Sequence, residues 1–71
     1  MNNILIEFEE RLELTAAQAA KFLNVPRPTY YQYRRTGVVP GPVERMIELT
    51  KYISKRNLDS LIMEYVHDEE L

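Results

Sequence analysis

The chain has 71 residues, enough for one small domain (1–71) with a modest core. It contains no cysteine, which excludes a disulfide framework and a thiolate metal site. The net charge is −2, and neither a membrane-length apolar run nor a signal peptide is visible. We therefore expect a single soluble, cytoplasmic domain.

The charge is distributed unevenly along the sequence. Residues 1–14 carry four glutamates and one arginine, a net of −3, and residues 57–71 carry five acidic residues, a net of −5. Residues 15–56 carry eight basic and two acidic residues, a net of +6. Such a basic block favours phosphate binding whatever the total charge. The alternative is that the acidic and basic segments simply neutralise each other in the fold.

The most informative segment, residues 14–37, reads LTAAQAAKFLNVPRPTYYQYRRTG. Thr15 can cap a helix over Ala16–Leu23, which is rich in helix formers. Asn24 tolerates the left-handed conformation that a tight helix exit needs. Pro26 suits the start of a second helix. These signals predict two short helices joined by a tight turn.

The second helix of this segment is predicted over Arg27–Arg35, and Gly37 is predicted to end it. Tyr30 and Tyr33 are three residues apart, so they share one helical face and are predicted to point into the core. Tyr31 then lies on the surface. Three tyrosines in four residues are more typical of this arrangement than of an aromatic binding site.

The pattern resembles the helix-turn-helix of phage repressors and Cro-type regulators, and it matches that family without a gap over Leu14–Arg35. The family has a small residue in the middle of its first helix, where Ala20 lies. Its apolar positions are held by Ala19, Leu23, Val25, Tyr30 and Tyr33. Asn24 replaces the usual turn glycine, and one residue is inserted before Gly37. The resemblance reaches about Ile53 and implies an all-α, compact bundle of about five short helices, a lambda-repressor-like DNA-binding domain.

Helices are also predicted on both sides of this segment. The first covers Asn3–Glu13, and the fourth runs from Pro42 to about Ser54. The inner stripe of the fourth helix consists of Val43, Met46, Ile47, Thr50 and Ile53. Asn57 is predicted to cap a fifth helix, and residues 67–71 are predicted to fray.

The resemblance implies that the exposed face of helix 3 contacts DNA bases. The implied positions are Arg27, Pro28, Tyr31 and Gln32. Arg27 suits a bidentate pair with guanine, and Gln32 suits adenine. Pro28 offers only apolar contact, whereas Tyr31 could stack on a sugar, touch a thymine methyl or hydrogen-bond a phosphate. The alternative is that these are ordinary solvated residues, with Tyr31 partly buried.

Phosphate contacts are expected to flank this helix. The candidates are Thr29 through its hydroxyl, Arg34, Arg35 and Arg45 through their charge, and Thr36 and Gly37 through backbone N–H groups. Two positions depart from the family. Ala16 replaces a frequent glutamine and cannot bind a phosphate through its side chain. Arg34 replaces a frequent glutamate, which predicts a more basic end for helix 3.

The predicted function is that of a sequence-specific regulator of transcription that binds double-stranded DNA, similar to a small phage or mobile-element repressor. One module makes few base contacts, so a homodimer on an inverted-repeat operator is expected. The apolar residues predicted to form its dimer interface, in helix 57–66, are Leu58, Leu61, Ile62, Tyr65 and Val66. The alternative is a protein-interaction module, an antirepressor or adaptor, whose acidic ends mimic DNA or cover a basic face.

No enzymatic activity, cofactor or metal site is expected. The sequence lacks a Gly-rich phosphate loop, a cluster of metal ligands and a nucleophile with a plausible base. The glutamates Glu7, Glu9, Glu10 and Glu13 are predicted to form the solvated side of helix 1. A domain of this length leaves no room for a separate ligand-binding domain, so no small-molecule effector is expected.

Overall fold

Local sequence signals decide where most of the helices begin and end. The computed structural model describes residues 3–66, which form α1 (Ile4–Leu12), α2 (Ala16–Leu23), α3 (Arg27–Thr36), α4 (Gly41–Leu49) and α5 (Lys55–Val66). These residues contain no strand, so the prediction of an all-α bundle is confirmed. The predicted fraying of residues 67–71 lies outside the described part. No helix within residues 3–66 is both long enough and apolar enough to cross a membrane.

The start of α2 is fixed by a reciprocal pair of hydrogen bonds. The Gln18 backbone N–H donates to Thr15 Oγ1 at 3.1 Å, and the Thr15 N–H donates to Gln18 Oε1 at 2.9 Å. This capping box satisfies two amides that a helix start leaves without partners. Thr15 was predicted as the cap, and its partner Gln18 was not.

The ends of α1 and α2 share one geometry. Asn24 after α2 has φ 59° and Glu13 after α1 has φ 58°, both in the left-handed region. The following amides reach back five residues, from Val25 to the Ala20 carbonyl and from Leu14 to the Glu9 carbonyl, each at 2.9 Å. These are Schellman-type endings. The left-handed helix end predicted at Asn24 is confirmed. Glutamate has no comparable preference for the left-handed conformation, so the sequence did not indicate the same ending at Glu13.

The core lies mainly between the first three helices. Its buried members are Leu5, Phe8, Leu12, Leu14, Ala19, Ala20, Leu23, Tyr30 and Ile47. Ala20 is 1% exposed, as expected for a small residue where two helices approach closely. Phe8 and Phe22 meet with ring centroids 5.9 Å apart. From α5, Val66 is fully buried, and Leu58 and Ile62 pack against the core.

The prediction that the fourth helix reaches Ser54 is wrong, because α4 ends at Leu49 and a 3-10 turn covers Thr50–Tyr52. A contact from α1 explains this break. Arg11 Nη2 donates to Thr50 Oγ1 at 2.8 Å, and Thr50 Oγ1 donates to the Ile47 carbonyl at 2.6 Å. The buried Thr50 hydroxyl thus draws the chain into a tighter turn at this point.

The start of α5 and one residue of the α4 stripe also differ from the prediction. Helix α5 begins at Lys55, and Ser54 Oγ accepts a hydrogen bond from the Asn57 N–H at 3.2 Å. Ser54 is therefore the cap, and Asn57 lies within the helix. Met46, predicted to face inward, is 45% exposed.

Candidate nucleic-acid interface

The inner face of α3 holds this helix on the rest of the protein. Tyr30 is fully buried, and Tyr33 is partly buried against the core. The predicted orientation of both tyrosines is therefore confirmed. Helix α3 begins directly after Pro26, whose φ of −57° suits the approach to a helix. The tight turn at Asn24 and this proline together set how α3 leaves α2.

The opposite face of α3 is open to solvent. Its exposed residues are Arg27, Pro28, Tyr31, Gln32 and Arg35, which we call the outer face of α3. Each residue of this set has another member three or four positions away, so their side chains form one patch. The structure thus brings together all four residues predicted to contact bases. Tyr31, for which partial burial was the alternative, is 44% exposed.

Glu9 of α1 lies behind α3 and is only 7% exposed, so its prediction as a solvated residue is wrong. Tyr30 Oη donates to Glu9 Oε2 at 2.6 Å. Arg34 donates from Nε to Oε2 at 2.8 Å and from Nη2 to Oε1 at 3.1 Å. We call these three residues the Glu9 network. No signal within α1 marks Glu9, because both of its partners are more than twenty residues away in sequence.

The Glu9 network also engages Arg34, which the sequence predicts to contact phosphate. Both of the guanidinium nitrogens named above point to Glu9, and the Arg34 carbonyl accepts a hydrogen bond from Asn3 Nδ2 at 2.8 Å. The positive charge that the sequence places at this end of α3 is therefore balanced by a carboxylate from α1. The unusual arginine at this position was the one sequence signal that a partner of opposite charge was needed.

The electrostatics of the network favour a neutral Tyr30 and a charged Arg34. Burial, and then the hydrogen bond to Glu9, raise the pKa of the Tyr30 hydroxyl far above its ordinary value. The hydrogen bond to Glu9 also raises the pKa of Arg34. At neutral pH a neutral tyrosine and a charged arginine therefore face the same carboxylate. Within the described residues, no buried side-chain nitrogen or oxygen is left without a hydrogen-bond partner.

Two more predicted phosphate contacts are used in ending α3. The Gly37 N–H donates to the Tyr33 carbonyl at 2.8 Å, with Gly37 at φ 78°. The Thr36 hydroxyl donates to the Gln32 carbonyl at 3.0 Å and accepts from the Val38 N–H at 3.2 Å. The Gly37 amide is therefore used within the end of α3, and its contact with phosphate stays a prediction.

The remaining predicted phosphate contacts stay on the surface. Arg35 and Arg45 are exposed, and Thr29 is partly exposed. Arg45 lies one turn inside α4, whose first turn contains Pro42 as predicted. The same turn carries Glu44, which lowers the positive potential near Arg45. Arg35 is therefore the stronger candidate for holding a phosphate.

The dimer surface predicted from α5 needs correction at Val66, which is buried within the protein itself. Val66 is 0% exposed, and Leu58 and Ile62 pack against the core. A groove of about 660 Å³ lies instead between α2, α4 and α5, and we call it the α4–α5 groove. Its lining residues are Lys21, Phe22, Leu23, Asn24, Met46, Leu49, Thr50, Ile53, Leu61 and Tyr65. Only Leu61 and Tyr65 of the predicted interface lie there.

Within residues 3–66, no three histidine, cysteine, aspartate or glutamate side chains come together to hold a metal ion. His67 lies outside this part of the chain. Comparison of the chain with family models, curated proteins and solved structures gave no match.

Proposed function

We propose that the protein is a transcription regulator that binds double-stranded DNA in a sequence-specific manner in the cytoplasm, as a small phage or mobile-element repressor does. The observation that carries the proposal is the separation of the two faces of α3. The inner face is fixed by Tyr30 and the Glu9 network, while the outer face presents side chains suited to base edges. A helix of this width fits the major groove of B-DNA.

Base recognition is assigned to the polar members of the outer face. Arg27 lies in the first turn of α3, where a recognition helix meets the base edges, and it can pair with guanine O6 and N7. Gln32 is exposed and can donate to and accept from adenine. These two contacts specify sequence, and the surrounding basic residues position the protein on the backbone.

Phosphate contact is assigned to Arg35, Arg45 and Thr29. Each cation that meets a phosphate releases counterions, so affinity falls as salt concentration rises. Arg34 is left out because its charge is balanced by Glu9. We therefore expect Arg35→Ala to reduce the slope of log K against log salt by about one, and Arg34→Ala to change it less.

The proposal is tested by selecting duplexes from a random pool at low salt and measuring affinity by fluorescence anisotropy. Arg27→Ala and Gln32→Ala should each weaken binding to the selected site by about 1–3 kcal/mol and relax the preference at one base pair. Lys51→Ala is the control, because Lys51 is an exposed cation paired with Glu48 outside the proposed interface. No binding to any duplex, or unchanged affinity in both variants with the fold intact, would contradict the proposal.

A second copy of the chain is proposed to occupy the α4–α5 groove, giving a homodimer on an inverted repeat. Half-sites one turn apart require the two recognition helices to lie roughly 34 Å apart, a distance of the same order as the 31 Å length of one copy. A standard interface buries about 800 Å² per partner, about a sixth of the 5091 Å² surface. Met46, Leu49 and Tyr65 supply exposed apolar side chains at the groove.

Sedimentation of two matched variants tests the dimer. Leu49→Glu places a charge in the groove and should give folded monomers that lose most of their affinity for the inverted repeat. Met63→Glu is the control, since Met63 is 62% exposed and does not line the groove. A wild-type protein that stays monomeric at tens of micromolar, free and on DNA, would overturn the dimer. That result would favour a protein-interaction module that uses the groove for a different partner.

A further inference from the structure

The outer face of α3 contains an apolar pair between its polar residues. Pro28 and Tyr31 are both exposed, and they lie three residues apart on one helical face. Arg27 and Gln32 flank them in sequence. The hydrogen-bonding contacts assigned to Arg27 and Gln32 leave this pair without a role. Pro28 and Tyr31 lie in the middle of the proposed base-reading surface. Their apolar surface would suit an apolar group on the DNA.

The Tyr31 ring is held in place before any ligand binds. It meets the Tyr30 ring edge to face, with centroids 6.2 Å apart and planes at 78°. Tyr30 is fully buried, and its hydroxyl is bonded to Glu9 at 2.6 Å. A ring supported by a fixed neighbour loses little conformational freedom on binding. Its exposed part therefore offers a preformed apolar surface.

The major groove presents one apolar group on its base edges, the methyl group at C5 of a pyrimidine. We propose that Pro28 and Tyr31 form an apolar contact for this C5-methyl group, carried by thymine or by 5-methylcytosine. The exposed ring of Pro28 consists of CH2 groups, so it presents apolar surface without a hydrogen-bonding group. The inference rests on the proposed DNA-binding function and names the specificity of the same surface.

The experiment removes the methyl group and nothing else. In the duplex selected as described above, each thymine is replaced in turn by deoxyuridine, and affinity is measured by competition. Replacing one thymine in each half-site should lower the affinity of the protein for the duplex about four-fold. This factor corresponds to the free energy of burying one methyl-sized group. In Tyr31→Ala that penalty should disappear, whereas in Gln32→Ala it should remain.

Two further measurements show which base carries the methyl group and whether the ring or the hydroxyl of Tyr31 makes the contact. Replacing each cytosine by 5-methylcytosine should change affinity at no position if thymine is the source. A gain that Tyr31→Ala abolishes would assign the contact to methylated cytosine. Tyr31→Phe should bind like the wild type, because the ring and not the hydroxyl makes the contact. A loss in Tyr31→Phe equal to that in Tyr31→Ala would overturn the inference.

The outcomes distinguish this inference from the proposed function. The protein could bind the selected duplexes without any methyl group having an effect that depends on Tyr31. That result would overturn the methyl contact and leave the proposed DNA binding in place. Absence of binding to every duplex would overturn both. Circular dichroism of the Tyr31 variants is expected to match the wild type, since the side chain is 44% exposed and lies outside the core.

Discussion

The two halves of the protein differ in how far their apolar residues are buried. Of the ten buried hydrophobic residues within residues 3–66, eight lie between Leu5 and Tyr30, and only Ile47 and Val66 come from the second half. Of the eight exposed large hydrophobic residues in the same range, six lie beyond Gly37. The first half is therefore a packed core, and the second half displays apolar surface.

This contrast indicates that the two halves of the chain have different structural roles. The helices α1, α2 and α3 form a small core, and the Glu9 network adds a polar link between α1 and α3. The helices α4 and α5 cover this core with few fully buried side chains and line an open groove. Stability should therefore depend mainly on the first half, while the second half leaves apolar surface open at the groove.

The largest effect is expected at the centre of the packed half. Tyr30→Ala removes a fully buried ring and the hydroxyl donor to Glu9, and it should lower the free energy of unfolding by about 3–5 kcal/mol. In a domain of this size, that loss is a large part of the total stability. Urea denaturation gives the value. A melting temperature close to that of the wild type would show that α3 does not depend on this contact.

Glu9→Gln should have the next largest effect. The amide keeps the shape of the side chain but loses the charge that accepts hydrogen bonds from Tyr30 and Arg34. The expected loss is about 1.5–3 kcal/mol, the range for hydrogen bonds to charged groups. Glu10→Gln is the matched control on the same helix, because Glu10 is exposed. Equal stability of the two variants would contradict the role given to Glu9.

Alkaline pH should weaken the packed half through Tyr30. Its folded-state pKa is raised by burial and by Glu9, so the folded protein keeps the proton that the unfolded chain releases above about pH 10. The stabilisation is complete below pH 10 and falls by about 1.4 kcal/mol per pH unit above it. Tyr30→Phe should lack this part of the slope. Parallel curves for the wild type and Tyr30→Phe between pH 10 and 11 would contradict the assignment.

The smallest effect is expected in the open half. Tyr52 is 84% exposed, and Tyr52→Ala should change the free energy of unfolding by less than about 0.5 kcal/mol. It makes the same substitution as Tyr30→Ala in a residue of the same type, so the difference between them measures the contrast between the halves. A loss above about 2 kcal/mol in Tyr52→Ala would show that the second half carries stability of its own.

The sequence predicts the first half of the fold better than the second. The bounds of α2 are as predicted, because Thr15 and Asn24 act on their own neighbours in the chain. The end of α4 depends on Arg11, whose partner Thr50 is 39 residues away, and no local pattern carries that information. Ser54 and Asn57 are both acceptable caps, so the choice between them depends on where the preceding turn ends.

The candidate site divides along the same line. The outward positions of α3 follow from helical periodicity once Tyr30 and Tyr33 are placed in the core. The partner of Arg34 does not, because a charged residue near a helix end is equally suited to phosphate and to a carboxylate from another helix. The burial of Val66 was missed because the apolar stripe of α5 does not reveal which of its members meet the core.

The split between the two faces of α3 also has an evolutionary consequence. The buried residues on one side keep the helix folded and attached, while Tyr31, Gln32 and Arg35 on the other side carry no part of the core. New outward side chains can therefore be accepted one at a time without passing through an unstable intermediate. Descendants of this chain can therefore acquire a different outer face on α3 while they keep the same fold.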